Sequence, residues 1–239
     1  MDSLIITVSC PKYLTHLRLT IKSFQARCVG PMPELLILTR KSHVEEMEGG
    51  LDGMFASKLI KPYPDEAEAI ESNYAAHQAA KLLAWQRLGA SHLIFVDDDV
   101  MAMQSWQPEM FFRQSGSPII YHQLTTDFWT VGISGLFRYH VPRAYQLALP
   151  FAYTRDLLER LCHTPYYERS MDMRRQGNLI AAEFAMMGEF AHICAEGTAR
   201  NIDKTQDHWT LNRNIFRDYA RRRGDMIKEY ENGLDSSHA

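Results

Sequence analysis

Apolar and polar positions switch between two periods along the first hundred residues. "SLIITVSC" (3–10) is a continuous, β-branched apolar run ending in small polar residues, and it predicts a buried strand. "YLTHLRLTIKSFQARC" (13–28) changes period, with Leu14, Leu17, Ile21 and Phe24 recurring at helical spacing. "PELLILTR" (33–40) predicts a second strand that closes in Thr39 and Arg40. After a loop holding Gly49, Gly50 and Gly53, "SKLIKPYP" has room for a third, short strand stopped by Pro62 and Pro64. "EAEAIESNYAAHQAAKLLAWQRLG" (66–89) is rich in helix formers and predicts one helix, with Gly89 as its C-cap glycine. "HLIFV" (92–96) predicts another strand.

This alternation implies an open α/β sheet with helices on both faces. Ligands of such sheets bind beyond the carboxyl ends of the strands, and both "TVSC" and "VDDD" fall at that edge. The second half is less regular. "SPIIYHQ" (117–123) and "WTVGISGLFRYHV" (129–141) read as strands with glycine interruptions. "YTRDLLERLCHT" (153–164) reads as a helix with Leu157, Leu158 and Leu161 facing inward. "LIAAEFAMMGEFAHICA" (179–195) reads as a helix with Gly188 as a flaw or break. "TLNRNIFRDYARRRGDMIKEYE" (210–231) gives a last helix broken near Gly224, and "NGLDSSHA" a frayed tail. No repeat or linker divides the chain. The expectation is one domain over 1–231, with a nucleotide-binding half (1–100), an acceptor-side half (101–231) and a flexible tail (232–239).

Composition narrows the function classes. The 239 residues are 46% hydrophobic and 11% aromatic, enough for one substantial core. A net charge of −3 sets up no field favouring a nucleic acid polymer; the basic concentration "RDYARRRGDMIK" is local. Cys10, Cys28, Cys162 and Cys194 are widely spaced with no CxxC pair, which suits a reducing cytoplasm better than a disulfide framework or zinc ribbon. The N-terminus opens on an acid without a basic n-region. No apolar run approaches the roughly 18 to 20 residues that a membrane span requires. A soluble, cytoplasmic protein is expected, with at most peripheral membrane contact.

"HLIFVDDDV" (92–100) raises the chemical question. Asp97, Asp98 and Asp99 follow four apolar residues and precede Val100, although adjacent carboxylates repel one another and are poorly placed in a packed interior. One explanation is a solvated turn in which an Asp caps a following helix. The other is a divalent cation, because Mg²⁺ and Mn²⁺ take oxygen ligands, usually one or two carboxylates plus substrate phosphate oxygens.

The same segment resembles the DxD motif of GT-A fold glycosyltransferases: an apolar strand, Asp-x-Asp, then an apolar residue. "IITVSCPKYLTHLRLTIKSF" is similar to that family's opening strand, nucleotide-facing loop and first helix. "NYAAHQAAKLLAWQRLGASHLIFVDDD" resembles the Gln-x-x-Lys helix leading into the DxD strand of some bacterial, polysaccharide-type members. "LIAAEFAMMGEFAH" resembles the stretch carrying an acidic residue on the acceptor side. The resemblance covers roughly residues 3 to 210. It implies a GT-A open mixed sheet, and a nucleotide-diphosphate sugar lying across the strand ends with Mn²⁺ or Mg²⁺ on its diphosphate. The acceptor would be a glycan or a lipid-linked molecule. Asp97 would face the sugar or ribose, Asp99 would be the more direct metal ligand, and Asp98, on the opposite side of an extended backbone, would matter less.

Other residues carry a functional and a structural reading side by side. Lys81 alone is a solvated helix lysine, but Gln78 shares its face, which makes a phosphate or nucleotide contact. Thr7, Ser9 and Tyr13 are either base and ribose contacts or ordinary strand-end polarity. Asp127 and Trp129, with Phe128 between them, form a sugar-binding composition or else a turn Asp before a core Trp. Glu183 sits in an apolar stretch where an unpaired acid is costly. An inverting transferase needs a carboxylate to take the acceptor hydroxyl's proton, so Glu183 is the first choice of base and Asp127 the second. His208, beside Trp209, is a late metal ligand of the kind the resemblance implies, or a surface histidine. Arg221, Arg222 and Arg223 are a solvated face or a contact for an anionic lipid-linked acceptor. Three rival functions remain: a sugar- or nucleotide-binding module without turnover, a HAD-like phosphohydrolase, and a nucleotidyltransferase. The phosphohydrolase motif normally opens the chain and continues with Thr rather than Val100, and "SCPKYLTH" lacks the glycines of a nucleotidyltransferase loop.

Overall fold

Residues 2–54, 57–87, 89–102, 105–124, 128–145, 150–177, 182–194 and 198–201 are described by a computed structural model of the chain. The first half runs β1 (Ser3–Val8), α1 (Leu14–Arg27), β2 (Glu34–Thr39), α2 (Val44–Gly50), β3 (Lys58–Pro62), α3 (Asp65–Glu68), α4 (Asn73–Leu82) and β4 (His92–Phe95). There follow β5 (Ile119–Leu124), α5 (Phe128–Phe137), β6 (Arg143–Ala144), β7 (Phe151–Thr154), α6 (Arg155–Cys162), α7 (Pro165–Arg175), α8 (Glu183–Ile193) and β8 (Thr198–Asn201).

The main sheet has the order β3-β2-β1-β4-β7. Its first four strands are parallel, and β7 closes the edge antiparallel to β4, with Phe95 opposite Phe151. The sheet is mixed, as the resemblance implies. Strands from both halves of the sequence share it, so the described residues form one domain. β1 reads as an unbroken apolar run because both of its faces are covered. Leu4, Ile6 and Val8 join the alanines of α4 and the aromatic end of α8, whereas Ile5 packs with Leu17, Ile21 and Phe24 of α1. A smaller sheet, β6-β5-β8, lies in the second half.

Several elements depart from the sequence expectation. The helix expected over 66–89 is broken into α3, α4 and a 3₁₀ turn at Ala84–Arg87. Ser72 restarts the chain as the N-cap of α4, its hydroxyl accepting from Ala75 N. The intervening bend is held by Arg40, which donates to the carbonyls of Glu68 (3.0 Å) and Ile70 (2.7 Å). The strand expected over 129–141 is instead α5. Its β-branched residues and glycines suggest a strand, but Thr130, Ile133, Leu136 and Phe137 are buried while Val131 is exposed, which is a helical face. α7 and β7 have no counterpart in the sequence reading; α7 carries an N-cap in Thr164 and Pro165 at its first position. Gly188 does not break α8. A Cβ there would lie 2.3 Å from the Tyr145 ring, so the glycine lets that ring pack directly on the helix.

Candidate active site

The chain directions of β1 and β4 deliver two segments to one edge. The two strands pair in parallel from Ser3 opposite His92 to Ile6 opposite Phe95, and Val96 N extends the ladder to Ile6 O (2.9 Å). Ser9 and the three aspartates therefore emerge side by side. Val96 remains buried, Asp97 to Asp99 form a partly exposed turn, and the chain is buried again at Val100 and Ala102. The charges occupy the brief stretch where the backbone reaches the surface at the end of a central strand.

The three carboxylates have different surroundings. Ser9, fully buried, donates its hydroxyl to Asp98 Oδ2 (2.5 Å), and Thr20 of α1 donates to the Asp98 carbonyl (3.0 Å). Burial pushes the Asp98 carboxyl up to about 7; the Ser9 bond pulls it back, while Asp97 and Asp99 push it further. Asp98 is thus the turn's anchor to β1 and α1. Asp99 is also raised, by burial first and then by the charge of Asp97. Asp97 turns toward α4, where Lys81 Nζ donates to its Oδ1 at 2.5 Å.

Lys81 joins both halves of the chain. Its ammonium also donates to Glu183 Oε1 at 2.7 Å and lies 4.4 Å from the Phe184 ring centroid. Burial lowers the amine's pKa, but Asp97 and Glu183 more than offset this, so the net shift is upward and Lys81 stays charged. Glu183 is the first residue of α8, where a carboxylate also meets the positive end of the helix dipole. The solvated-lysine reading of Lys81 is overturned: its side chain is 9% exposed and that of Glu183 7%.

These groups line a cleft of about 400 Å³ that also takes in Tyr13, His16, Tyr74, His77 and Gln78. Tyr13 and His16 stack at 6.0 Å on the α1 side. Burial, followed by the charges of Lys81 and Arg40, drops His77 to about 4, leaving it neutral near pH 7. Of the residues expected at the site, Tyr13, Gln78, Lys81, Asp97, Asp98, Asp99 and Glu183 line this cleft, and Ser9 supports it from below. Thr7 does not reach it. Alternation along β1 turns Thr7 to the other face, into a small apolar cavity with Ile5, Leu17 and Ile21. Asp127, His208 and Arg221 to Arg223 lie outside the described residues, as does the side chain of Trp129 at the start of α5. Tyr74, His16 and His77 escaped the sequence reading, although Tyr74 and His77 share a helical stripe with Gln78 and Lys81 that spacing alone reveals.

Among the described residues no group of three or more His, Cys, Asp or Glu side chains is arranged to hold a metal by itself. The donor set still fits a hard cation that takes its remaining ligands from a phosphate-bearing substrate. Asp97 and Asp99 are partly exposed carboxylates of one turn, and Asp99 is raised by burial and then by the charge of Asp97, a repulsion that a cation relieves.

No protein-family model and no curated protein sequence matches the chain. Solved structures do. Core-mannan synthase A from Aspergillus fumigatus, in its Mn/GDP form, superposes with a TM-score of 0.54 at 8% identity, over 83% of this chain and 72% of that one. The galactosyltransferase LgtC, in complex with donor and acceptor sugar analogs, gives 0.54 at 11% identity, over 83% and 73%. The mannosyltransferase Ktr4p from S. cerevisiae gives 0.53 at 8% identity, over 79% and 65%. The chain has the GT-A fold. At these identities the likeness concerns the GT-A scaffold, and the chemistry rests on the cleft itself.

Proposed function

We propose that the protein is a GT-A glycosyltransferase that moves a sugar from a nucleotide-diphosphate donor to a hydroxyl of a glycan or lipid-linked acceptor. The observation that carries this reading is the pairing, within one cleft, of an aspartate turn at the end of a central strand with a buried lysine and a second carboxylate wall. Two structural neighbours carry matching ligands, Mn/GDP in one and donor and acceptor sugar analogs in the other. Asp97 and Asp99 would hold Mn²⁺ or Mg²⁺, which when bound would neutralise the charge growing on the departing diphosphate.

In the transfer, the bond between the sugar's anomeric carbon and the phosphate oxygen breaks and its electron pair stays on the diphosphate. The acceptor oxygen forms the new bond to that carbon and gives up a proton. We assign that proton to Glu183, whose Oε1 is held by Lys81 and whose Oε2 would accept it. Lys81 bridges the two flanking carboxylates. A phosphohydrolase is disfavoured by the motif's late place in the chain and by Val100 where its pattern has Thr. We propose a reducing, cytoplasmic setting from the wide spacing of Cys10, Cys28, Cys162 and Cys194; no helix among the described residues is long and apolar enough to cross a membrane.

A thermal-shift series with UDP and GDP, each in Mn²⁺ and in chelator, tests the donor side. Nucleotide should stabilise the fold clearly more with Mn²⁺, since the acids repel a diphosphate until a cation bridges them. Equal shifts in both buffers would remove the aspartates from donor binding.

A further inference from the structure

α4 divides its surface between two tasks. Ala75, Ala76, Ala79, Ala80 and Leu82 are fully buried in the core. The remaining stripe, Tyr74, His77, Gln78 and Lys81, is spaced at i, i+3, i+4 and i+7 and lines the cleft. Exposure falls steeply along it: Tyr74 is 50% exposed at the rim, while Gln78 is 2% and Lys81 7%. Two of the polar residues on this stripe are accounted for. Lys81 is held by Asp97 and Glu183, and the His77 ring meets Tyr63 edge-on at 5.9 Å.

Gln78 is not accounted for. Both its Oε1 and its Nε2 are buried without a hydrogen-bond partner among the described residues. The Tyr74 hydroxyl, one turn earlier, is close enough to sense the amide but makes no well-formed hydrogen bond to it. A buried amide with neither end satisfied carries its full desolvation penalty, and an apolar side chain of the same shape avoids it. Such a group at a cleft wall is complementary to something that binds there.

The chemistry of the amide selects the ligand. Carboxamide oxygen and nitrogen present one acceptor and one donor side by side in a plane. A phosphate offers acceptors only and would leave the amide oxygen unpaired, so of the phosphate or nucleotide contact expected from sequence, a nucleotide or sugar hydroxyl pair suits Gln78 better. A vicinal diol, in which each hydroxyl both donates and accepts, matches both ends. We propose that Gln78 is a specificity residue that reads a vicinal diol of the bound nucleotide sugar; this rests on the transferase reading above. Two parts of such a donor carry diols, the transferred sugar and the ribose.

The test uses Gln78→Leu, which keeps the volume and removes both polar ends, with Gln78→Glu as a second variant that keeps the shape but cannot donate when ionised. Affinities for UDP, 2′-deoxy-UDP, UDP-galactose and GDP-mannose are measured by calorimetry in Mn²⁺, and thermal midpoints are taken without ligand. Gln78→Leu should lose about 10- to 100-fold in affinity for the nucleotide sugar that wild type binds, as the loss of two hydrogen bonds to the ligand implies. Its ligand-free midpoint should be unchanged or raised. A loss confined to the nucleotide sugar assigns the diol to the transferred sugar. A loss shared with UDP, together with disappearance of the wild-type preference for UDP over 2′-deoxy-UDP, assigns it to the ribose. If wild type binds a nucleotide and Gln78→Leu binds every probe as tightly, the proposal is overturned while the transferase reading stands. A lowered ligand-free midpoint with unchanged affinities overturns it equally, since the amide is then internal glue. If wild type binds none of the probes, the transferase reading fails first and takes this one with it.

Discussion

Replacing Lys81 with Met removes the ammonium from between Asp97 and Glu183 while keeping most of the side-chain volume. Two unit charges about 4 Å apart attract by about 4 kcal/mol at an effective dielectric constant near 20. Glu183, with its side chain 7% exposed, retains most of that interaction, whereas Asp97, 34% exposed, retains less of it because solvent screens the pair. Methionine also escapes the cost of burying a charge. Breaking a buried pair from one side generally costs about 3 to 5 kcal/mol, and the lower end applies here, about 3 kcal/mol. For a domain of this size each kcal/mol moves the midpoint by roughly 2 to 4 °C, so a fall of about 6 to 12 °C is expected by calorimetry. The pH dependence has a definite sign. Burial opposes the charge on Lys81 but the two carboxylates raise its pKa on balance. Its contribution is therefore fully present below the ordinary lysine pKa of about 10.4 and is lost only as pH rises through the higher folded value. The gap between wild type and variant should thus be constant from about pH 7 to about pH 9. Adding Glu183→Leu to the variant should recover about 1 to 2 kcal/mol by removing the orphaned charge. A midpoint within about 2 °C of wild type would refute the bridge as a structural element, and so would a double variant no better than the single.

Asp98→Asn should stabilise the protein at pH 8 and change little at pH 4. The folded pKa is raised to about 7 by burial, so the native state holds its proton while the unfolded state loses it, and wild-type stability falls as pH rises between these values. The variant lacks that loss, and with about three pKa units at about 1.4 kcal/mol each, denaturant titrations at the two pH values should differ by up to about 4 kcal/mol; a gap independent of pH would contradict the assignment. Gly188→Ala should destabilise by about 1 to 2 kcal/mol despite alanine's better helix propensity, because the new Cβ would sit 2.3 Å from the Tyr145 ring near its root. A gain in urea midpoint would mean that Tyr145 yields more easily than this packing implies.

The parts of the fold that were legible in sequence are those whose burial is two-sided or periodic. β1, β2 and β4 are continuous apolar runs because helices cover both sheet faces, and α1 shows its single apolar stripe. The aspartate turn announced itself through charges that local burial cannot tolerate. α5 was misread because Val131, Ile133 and the glycines at 132 and 135 satisfy strand propensity, while the deciding fact, which residues face the core, is tertiary. The break at Ser72 and the start of α7 at Thr164-Pro165 did carry local cap signals, which the high helix propensity around Ser72 and the weak amphipathicity of α7 outweighed. In the site, residue types at the strand ends were readable, but their partners were not. Lys81 and Glu183 are 102 positions apart, and Ser9 and Asp98 are 89 apart. No periodicity spans such distances; Ser9 and Asp98 meet because parallel strands bring their ends to one edge, and Lys81 and Glu183 because α4 packs against α8.

Release of nucleoside diphosphate from a panel of nucleotide sugars tests the central claim most directly. Wild type and Asp99→Asn are incubated with UDP-galactose, UDP-glucose and GDP-mannose plus a sugar acceptor panel, in Mn²⁺ and in chelator, with circular dichroism confirming that the variant is folded. The expected result is release from at least one donor in Mn²⁺, abolished by chelator and reduced about 100-fold or more in Asp99→Asn. Tight binding of a nucleotide sugar with no release under any condition would make the protein a binding module on a GT-A scaffold. Release that proceeds equally in chelator and in the Asp99 variant would take the aspartate turn out of the chemistry.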